Sequence, residues 1–235
     1  MSPSFAAMTL LAVLLAVGAG TLDAQAADGR VELALMAKRL AEIDVYSVRV
    51  SVRVSAAGED GGVARAMRVE AWRERERFAY RSGAVEILWA QRAVVVVNHS
   101  SRTVVLREPV RQPDAPAELA AALSFERLTG GGTVEHVDLR QDGAARRFVI
   151  RYAAGPLLRT EIESDLATAL PSTALLVYRP AARAAGAVAI AYEWSTSPPP
   201  PDRLDDARFL AWEGEAVSLQ PRFKHYRLVR LDRKP

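Results

Sequence analysis

Cysteine is absent from the 235 residues, so the chain has no disulfide, no thiolate metal ligand and no amino-terminal cysteine to carry a lipid; once exported it must be held by packing alone. Histidine is almost as scarce. His99, His136 and His225 are widely separated, and no two stand at helical or zinc-ligand spacing, which leaves a metal site without support. Charge of one sign is scarce too: a formal net charge of +3 is too small by itself to imply a nucleic-acid partner. The chain also lacks a long apolar run. Its strongest, Met8 to Gly18, falls short of the roughly 18 to 20 residues that a spanning helix needs. Gly130-Gly-Gly132 has no following Lys-Ser/Thr, so it reads as a helix stop and not as a phosphate loop. No cofactor is expected.

What is present begins with that short apolar run. Followed by Ala24-Gln25-Ala26, it reads as a secretory signal over residues 1–26, with Ala24 and Ala26 at the small-residue positions before a peptidase cut. No Lys or Arg precedes the run, so an uncleaved amino-terminal anchor is the alternative. Residues 27–235 are then expected as one exported domain, long enough for a sizeable core, in the periplasm.

Periodicity divides that domain into one early helix and many strands. Val31 to Ile43 has helical spacing, with Val31 and Leu35, together with Ala34 and Met36, continuing toward Leu40 and Ile43, and Asp28 placed to cap or charge-stabilise its start. From Val45 the period becomes two: Val48, Val50, Val52 and Val54 alternate with Ser47, Arg49, Ser51 and Arg53. A second strand starts near Arg65, with Met67, Val69 and Ala71 on one face and Arg68, Glu70 and Trp72 on the other. Val85 to Trp89, Ala93 to Asn98 and Arg102 to Arg107 follow as antiparallel strands, because their short connections leave no room for a crossover. Asp114 then caps an expected helix through Ala117 to Leu128. Val134 to Leu139, Ala145 to Tyr152, Leu157 to Ser164, Leu175 to Tyr178 and Val188 to Trp194 are further strands, the first two joined by an Asp142-Gly143 hairpin turn. Pro198 to Pro201 makes an extended connection, and Phe223 to Leu231 a last strand. Arg222, Lys224, His225, Arg227, Arg230, Arg233 and Lys234 crowd this end, as suits a solvated basic edge strand or contact with anionic headgroups or another acidic partner.

Catalytic patterns are sparse. His99-Ser100-Ser101 lies in an expected turn without the glycines of a nucleophile elbow. The pairs Glu161/Glu163 and Asp205/Asp206 suit a solvated face better than acid-base work. No catalytic residue is assigned, and the protein is read as a non-enzyme.

The order of elements nevertheless has a pattern. A signal, an amphipathic helix, a long strand, Arg77-Phe78-x-Tyr80 leading into hairpins, a middle helix, and strands ending near Asp206-Ala207-Arg208-Phe209 together resemble the LolA-like group of periplasmic outer-membrane lipoprotein carriers. The resemblance covers roughly Val31 to Phe209. It implies a mainly β (α+β) fold: an incomplete, strongly curved antiparallel β-barrel with helices covering its open side and an apolar cavity for acyl chains. It further implies that Arg77, Phe78 and Tyr80 belong to the opening strand of the carriers' motif, with Arg77 tethering the covering helix. Trp72, Ile87, Trp89, Leu119, Leu123, Phe125 and Leu128 are the apolar candidates for lining. The expected partner is a lipid or acylated protein, with peripheral membrane contact and no nucleic acid. The alternative is an envelope interaction module that binds another protein by its open sheet edge or outer face.

Overall fold

The structure is a computed structural model and describes residues 24–56, 62–108, 132–180 and 185–231. It opens on a helix, α1 (Ala24–Glu42), followed by strands β1 (Val45–Ala56), β2 (Val63–Glu74), β3 (Arg77–Ser82), β4 (Val85–Trp89), β5 (Val94–Asn98) and β6 (Thr103–Arg107). After the second long undescribed stretch come β7 (Thr133–Asp142), β8 (Ala145–Ala154), β9 (Leu157–Asp165), β10 (Pro171–Tyr178) and β11 (Ala185–Ser195). Short 3-10 turns and a small hairpin, β12 (Leu210–Glu213) with β13 (Ala216–Leu219), lead to β14 (Arg227–Leu231).

Twelve strands hydrogen-bond in the order β14-β6-β5-β4-β3-β2-β1-β11-β10-β9-β8-β7. This corrects the expectation of a curved half-barrel under several helices. The sheet is neither closed nor strongly curled, its end strands β14 and β7 do not pair, and α1 is the one α-helix among the described residues. The sheet is also mixed, because β14 lies parallel to β6. Alternation in a sequence reports that a strand has a buried face; it carries no information on the curl of the sheet or on the direction from which a distant strand arrives. The expected helix at 117–128, with Leu119, Leu123, Phe125 and Leu128, lies outside the described residues.

By its contacts the chain falls into two compact units. In the first, containing α1 and β7 to β10, the helix packs on β7. The helix covers the residues the periodicity gives it, but only part of the expected stripe, Met36 and Ile43, is turned inward. Leu33, Met36 and Ala37 are buried, whereas Val31 and Leu35 are 60% and 51% exposed. Close approach on this side is at Gly29: a Cβ there would meet Val137 Cγ1 and the Val137 carbonyl at 3.1 Å, so glycine lets the helix come this near to β7. Asp28 is not a cap either, since α1 begins at Ala24 and Asp28 lies inside it. Phe148, Ile150 and Tyr152 from β8 and Ile162 from β9 fill the core beneath, and Tyr152 donates from its hydroxyl to Thr160 Oγ1 at 3.2 Å. Gly143 and Ala144 make the β7–β8 turn after Asp142, which pairs with Ala145, and Gly143 has a φ of 56° that glycine takes without strain.

The second unit holds β3 to β6, β12 to β14 and parts of the long strands. Its core is a layer of Trp72, Ala79, Leu88, Val95, Val97, Val104 and Leu106 covered by Leu204, Phe209 and Leu210. The carboxy-terminal segment is therefore the second layer of this unit. Opposite charges link three adjacent strands: Arg49 on β1 reaches both Glu70 on β2 (3.3 Å) and Glu193 on β11 (2.7 Å).

Candidate functional site

Strand register carries each side chain of this second unit to one of two faces. The pairings Ala71–Tyr80, Tyr80–Ile87, Ile87–Val96, Val96–Val105 and Val105–Val229 line six strands in one straight row. At about 4.8 Å per strand this apolar row is roughly 24 Å long. A second row on the same face runs Phe78–Trp89–Val94 and ends on Arg107 and Leu231. The rings of the two rows meet: Phe78 and Trp89 have centroids 5.2 Å apart, and Tyr80 stacks on Trp89 at 6.2 Å. Phe78, Ile87, Trp89, Val96, Val105 and Val229 are half-buried, and Tyr80 is buried.

Four of the sequence candidates, Phe78, Tyr80, Ile87 and Trp89, are thus brought together. Two are not. Trp72 pairs with Ala79 and Arg77 with Glu74, so both point to the opposite face, the one that the carboxy-terminal segment covers. There Trp72 is buried in the core and Arg203 lies over its ring at 5.0 Å, while Arg77 forms an ion pair with Glu74 across the β2–β3 turn. Leu119, Leu123, Phe125 and Leu128 lie outside the described residues.

The same register reveals a group that sequence reading missed. Glu86 shares its face with Leu88, so it is carried inward and is 5% exposed. One carboxylate oxygen accepts from the Arg208 guanidinium, and the other lies 3.8 Å from His99 Nε2. His99 Nδ1 is in turn 2.9 Å from the Tyr226 hydroxyl. Arg208 also lies over the Phe209 ring at 4.4 Å. This chain of contacts fastens the carboxy-terminal segment to β4. Burial, with Arg222 and Arg81 adding repulsion, lowers the Arg208 guanidinium to about 10, so it stays charged at neutral pH and remains a true ion-pair partner. The available signal was a carboxylate alternating with apolar residues at the core positions of Val85 to Trp89.

Burial first, and Arg81 second, also hold the His99 imidazole below its ordinary value of 6.5. The folded protein then favours the neutral ring more than the unfolded chain does. Stability present above the unfolded value is lost as pH falls through that value toward the folded one. Urea midpoints are expected to drop between neutral and mildly acid pH, with a shallower drop in His99→Gln; equal slopes would show that the ring does not contribute.

The remaining acid-base candidates have structural partners. Glu161 pairs with Arg147 and Arg159, and Glu163 accepts from Thr173. Asp205 accepts from the Ala207 amide, and Asp206 from Trp212 Nε1. His136 Nε2 lies 2.8 Å from Asp138 on the same strand face. Ser101 Oγ bonds Thr103 Oγ1 instead of His99. Among the described residues no group of three His, Asp or Glu is placed to hold a metal, and no helix is long and apolar enough to cross a membrane.

No protein-family model and no curated protein matches the chain. Solved structures do resemble it distantly. An uncharacterized conserved protein from Thermus thermophilus is 10% identical at a TM-score of 0.43, over 85% of this chain and 98% of that one. MucB is 16% identical at 0.39, over 84% and 66%. A LolA superfamily protein from Nitrosomonas europaea is 11% identical at 0.30, over 74% and 97%. The likeness is one of fold alone, and no residue role passes across it.

Proposed function

We propose that this is an exported, non-enzymatic binding protein of the cell envelope that holds an acyl chain, of a lipid or an acylated protein, along the Tyr80–Trp89 face of β2 to β6. The observation that carries this reading is the apolar row of six strands. Its length suits an extended alkyl chain, and the aromatic rings of Phe78, Tyr80 and Trp89 thicken it at one end. The opposite face of the same strands already has its covering in Leu204, Phe209 and Leu210, whereas on this face Ala71, Tyr80 and Val94 are buried and Phe78, Ile87, Trp89, Val96, Val105 and Val229 stay half-exposed. An acyl chain binds by withdrawing its own surface from water, at about 0.8 kcal/mol per methylene. Ten methylenes supply about 8 kcal/mol, the scale of a micromolar Kd before the cost of ordering the chain.

The test is to express the full chain in an export-competent Gram-negative host, purify it gently, and combine native mass spectrometry with titration of a fluorescent fatty acid. A co-purifying lipid or acylated protein and saturable probe binding are expected. Phe78→Ser with Trp89→Gln is expected to weaken the probe at least tenfold, while Trp212→Phe on the opposite face leaves it within twofold. A protein that purifies empty and does not bind the probe up to its solubility limit would overturn the reading.

A further inference from the structure

The strand order ends on β14, and no strand among the described residues pairs with its outer edge. Which backbone groups face outward follows from the register. The Arg227 amide donates to the Arg102 carbonyl at 2.8 Å, and Arg227 is in register with Thr103. In a parallel pair the amide and carbonyl of one residue point to the same side, so Arg227, Val229 and Leu231 bond inward to β6. The amides and carbonyls of Leu228 and Arg230 therefore face out, two donors and two acceptors awaiting a strand.

Charge selects what comes. Arg227 and Arg230 on β14 are exposed, as are Lys224 three residues before it and Arg102 and Arg107 at the two ends of neighbouring β6. Among the described residues none of these five forms an ion pair. The one side-chain contact here is Arg230 donating to the Glu215 carbonyl at 3.1 Å. A second copy of β14 laid on this edge would bring two strands of net positive charge side by side, and like charges on neighbouring strands are destabilising. An acidic strand would meet the opposite situation. We infer that the outer edge of β14 is a docking site for an extended acidic segment of another protein, added to the sheet as a thirteenth strand. The incoming strand places one side chain in line with Val229 at the end of the apolar row, and on the other face a carboxylate beside Arg230, while Arg227 adds positive charge on the Val229 side. Exposed arginines on an edge thus have two effects: they repel self-pairing and favour a partner of opposite charge. The acyl-binding reading is not needed for this, since the edge lies at the side of the sheet and not on its face.

The probe is a labelled ten-residue peptide alternating Glu with Val, compared by anisotropy with a Lys/Val peptide and with an equally acidic peptide carrying proline at alternate positions. The full chain is expected to bind the Glu/Val peptide saturably, the other two at least tenfold more weakly, and to protect the Leu228 and Arg230 amides from hydrogen exchange on binding. Arg227→Glu with Arg230→Glu is expected to weaken the Glu/Val peptide at least tenfold, and Arg227→Lys with Arg230→Lys to retain it. Equal binding of the proline peptide would overturn the proposal, because charge without a ladder would then suffice, and this comparison needs no variant. Binding of phosphatidylglycerol vesicles without binding of the peptide, or self-association through β14, would overturn it as well.

Discussion

Replacing Arg208 by methionine is expected to destabilise the fold by about 3–5 kcal/mol, the usual cost of stranding one member of a buried ion pair. Glu86 and Arg208 side chains are only 6% and 12% exposed, so neither recovers hydration when its partner is removed. Glu86→Gln is expected to fall in the same range, leaving Arg208 buried next to Arg81 and Arg222, both of which repel it. The double change Glu86→Leu with Arg208→Met removes both charges together and is expected to recover most of the loss, because replacing a buried pair with apolar groups is often neutral. Urea unfolding followed by tryptophan fluorescence measures all three. Single variants within about 1 kcal/mol of the parent would mean that water reaches the pair and that the segment is held by Phe209, Leu204 and Leu210 alone.

Gly132→Ala is expected to be as costly, for a reason in the backbone. Gly132 has a φ of 152°, a conformation that side chains rarely adopt. A Cβ built there would overlap the Ala154 carbonyl oxygen and lie 2.8 Å from the Ala154 carbonyl carbon and 3.0 Å from Gly155 Cα. All of these atoms belong to the main chain at the end of β8, where Thr133 pairs with Ala154, so relief requires the β7–β8 ladder to shift. Roughly 3 kcal/mol or more is the expected loss, read as a fall in the urea midpoint and as faster amide exchange at the Val134 end of β7. By contrast Gly83→Ala, also at positive φ but with open space around it, is expected to cost about 1 kcal/mol. Similar losses at the two positions would show that φ alone decides, without the close approach.

These two sites show what can be read from the chain alone. Gly132 was visible as a punctuation mark, and its triple-glycine setting suggested the end of a helix. The approach to Ala154 was invisible, because it joins residues on two strands whose register shifts at Thr133, Val134 and His136. Glu86 was equally visible as a carboxylate in an apolar strand, but its partner lies 122 residues away. No local pattern connects the two. The facing of α1 is a third case: Val31 and Leu35 fit an apolar stripe with Met36, yet they are exposed, and Leu33, Met36 and Ala37 are buried on the side where Gly29 meets Val137 of β7.

Local pattern determined most strands of the large sheet, its short hairpins and the aromatic residues of the candidate face, but not the β12–β13 hairpin. Alternation, turn chemistry and short connections are local properties, written within a few residues of each other. Phe78, Tyr80, Ile87 and Trp89 converge because β3 and β4 are joined by a tight turn that leaves little choice of register. Tertiary structure decided everything carried by distant pairing: the open, mixed sheet where a curved half-barrel was expected, the Glu86–Arg208 fastening, and the parallel return of β14 beside β6. The physical reason is that a strand's pattern specifies that one face is buried, while the partner that buries it is chosen by the free energy of the whole fold.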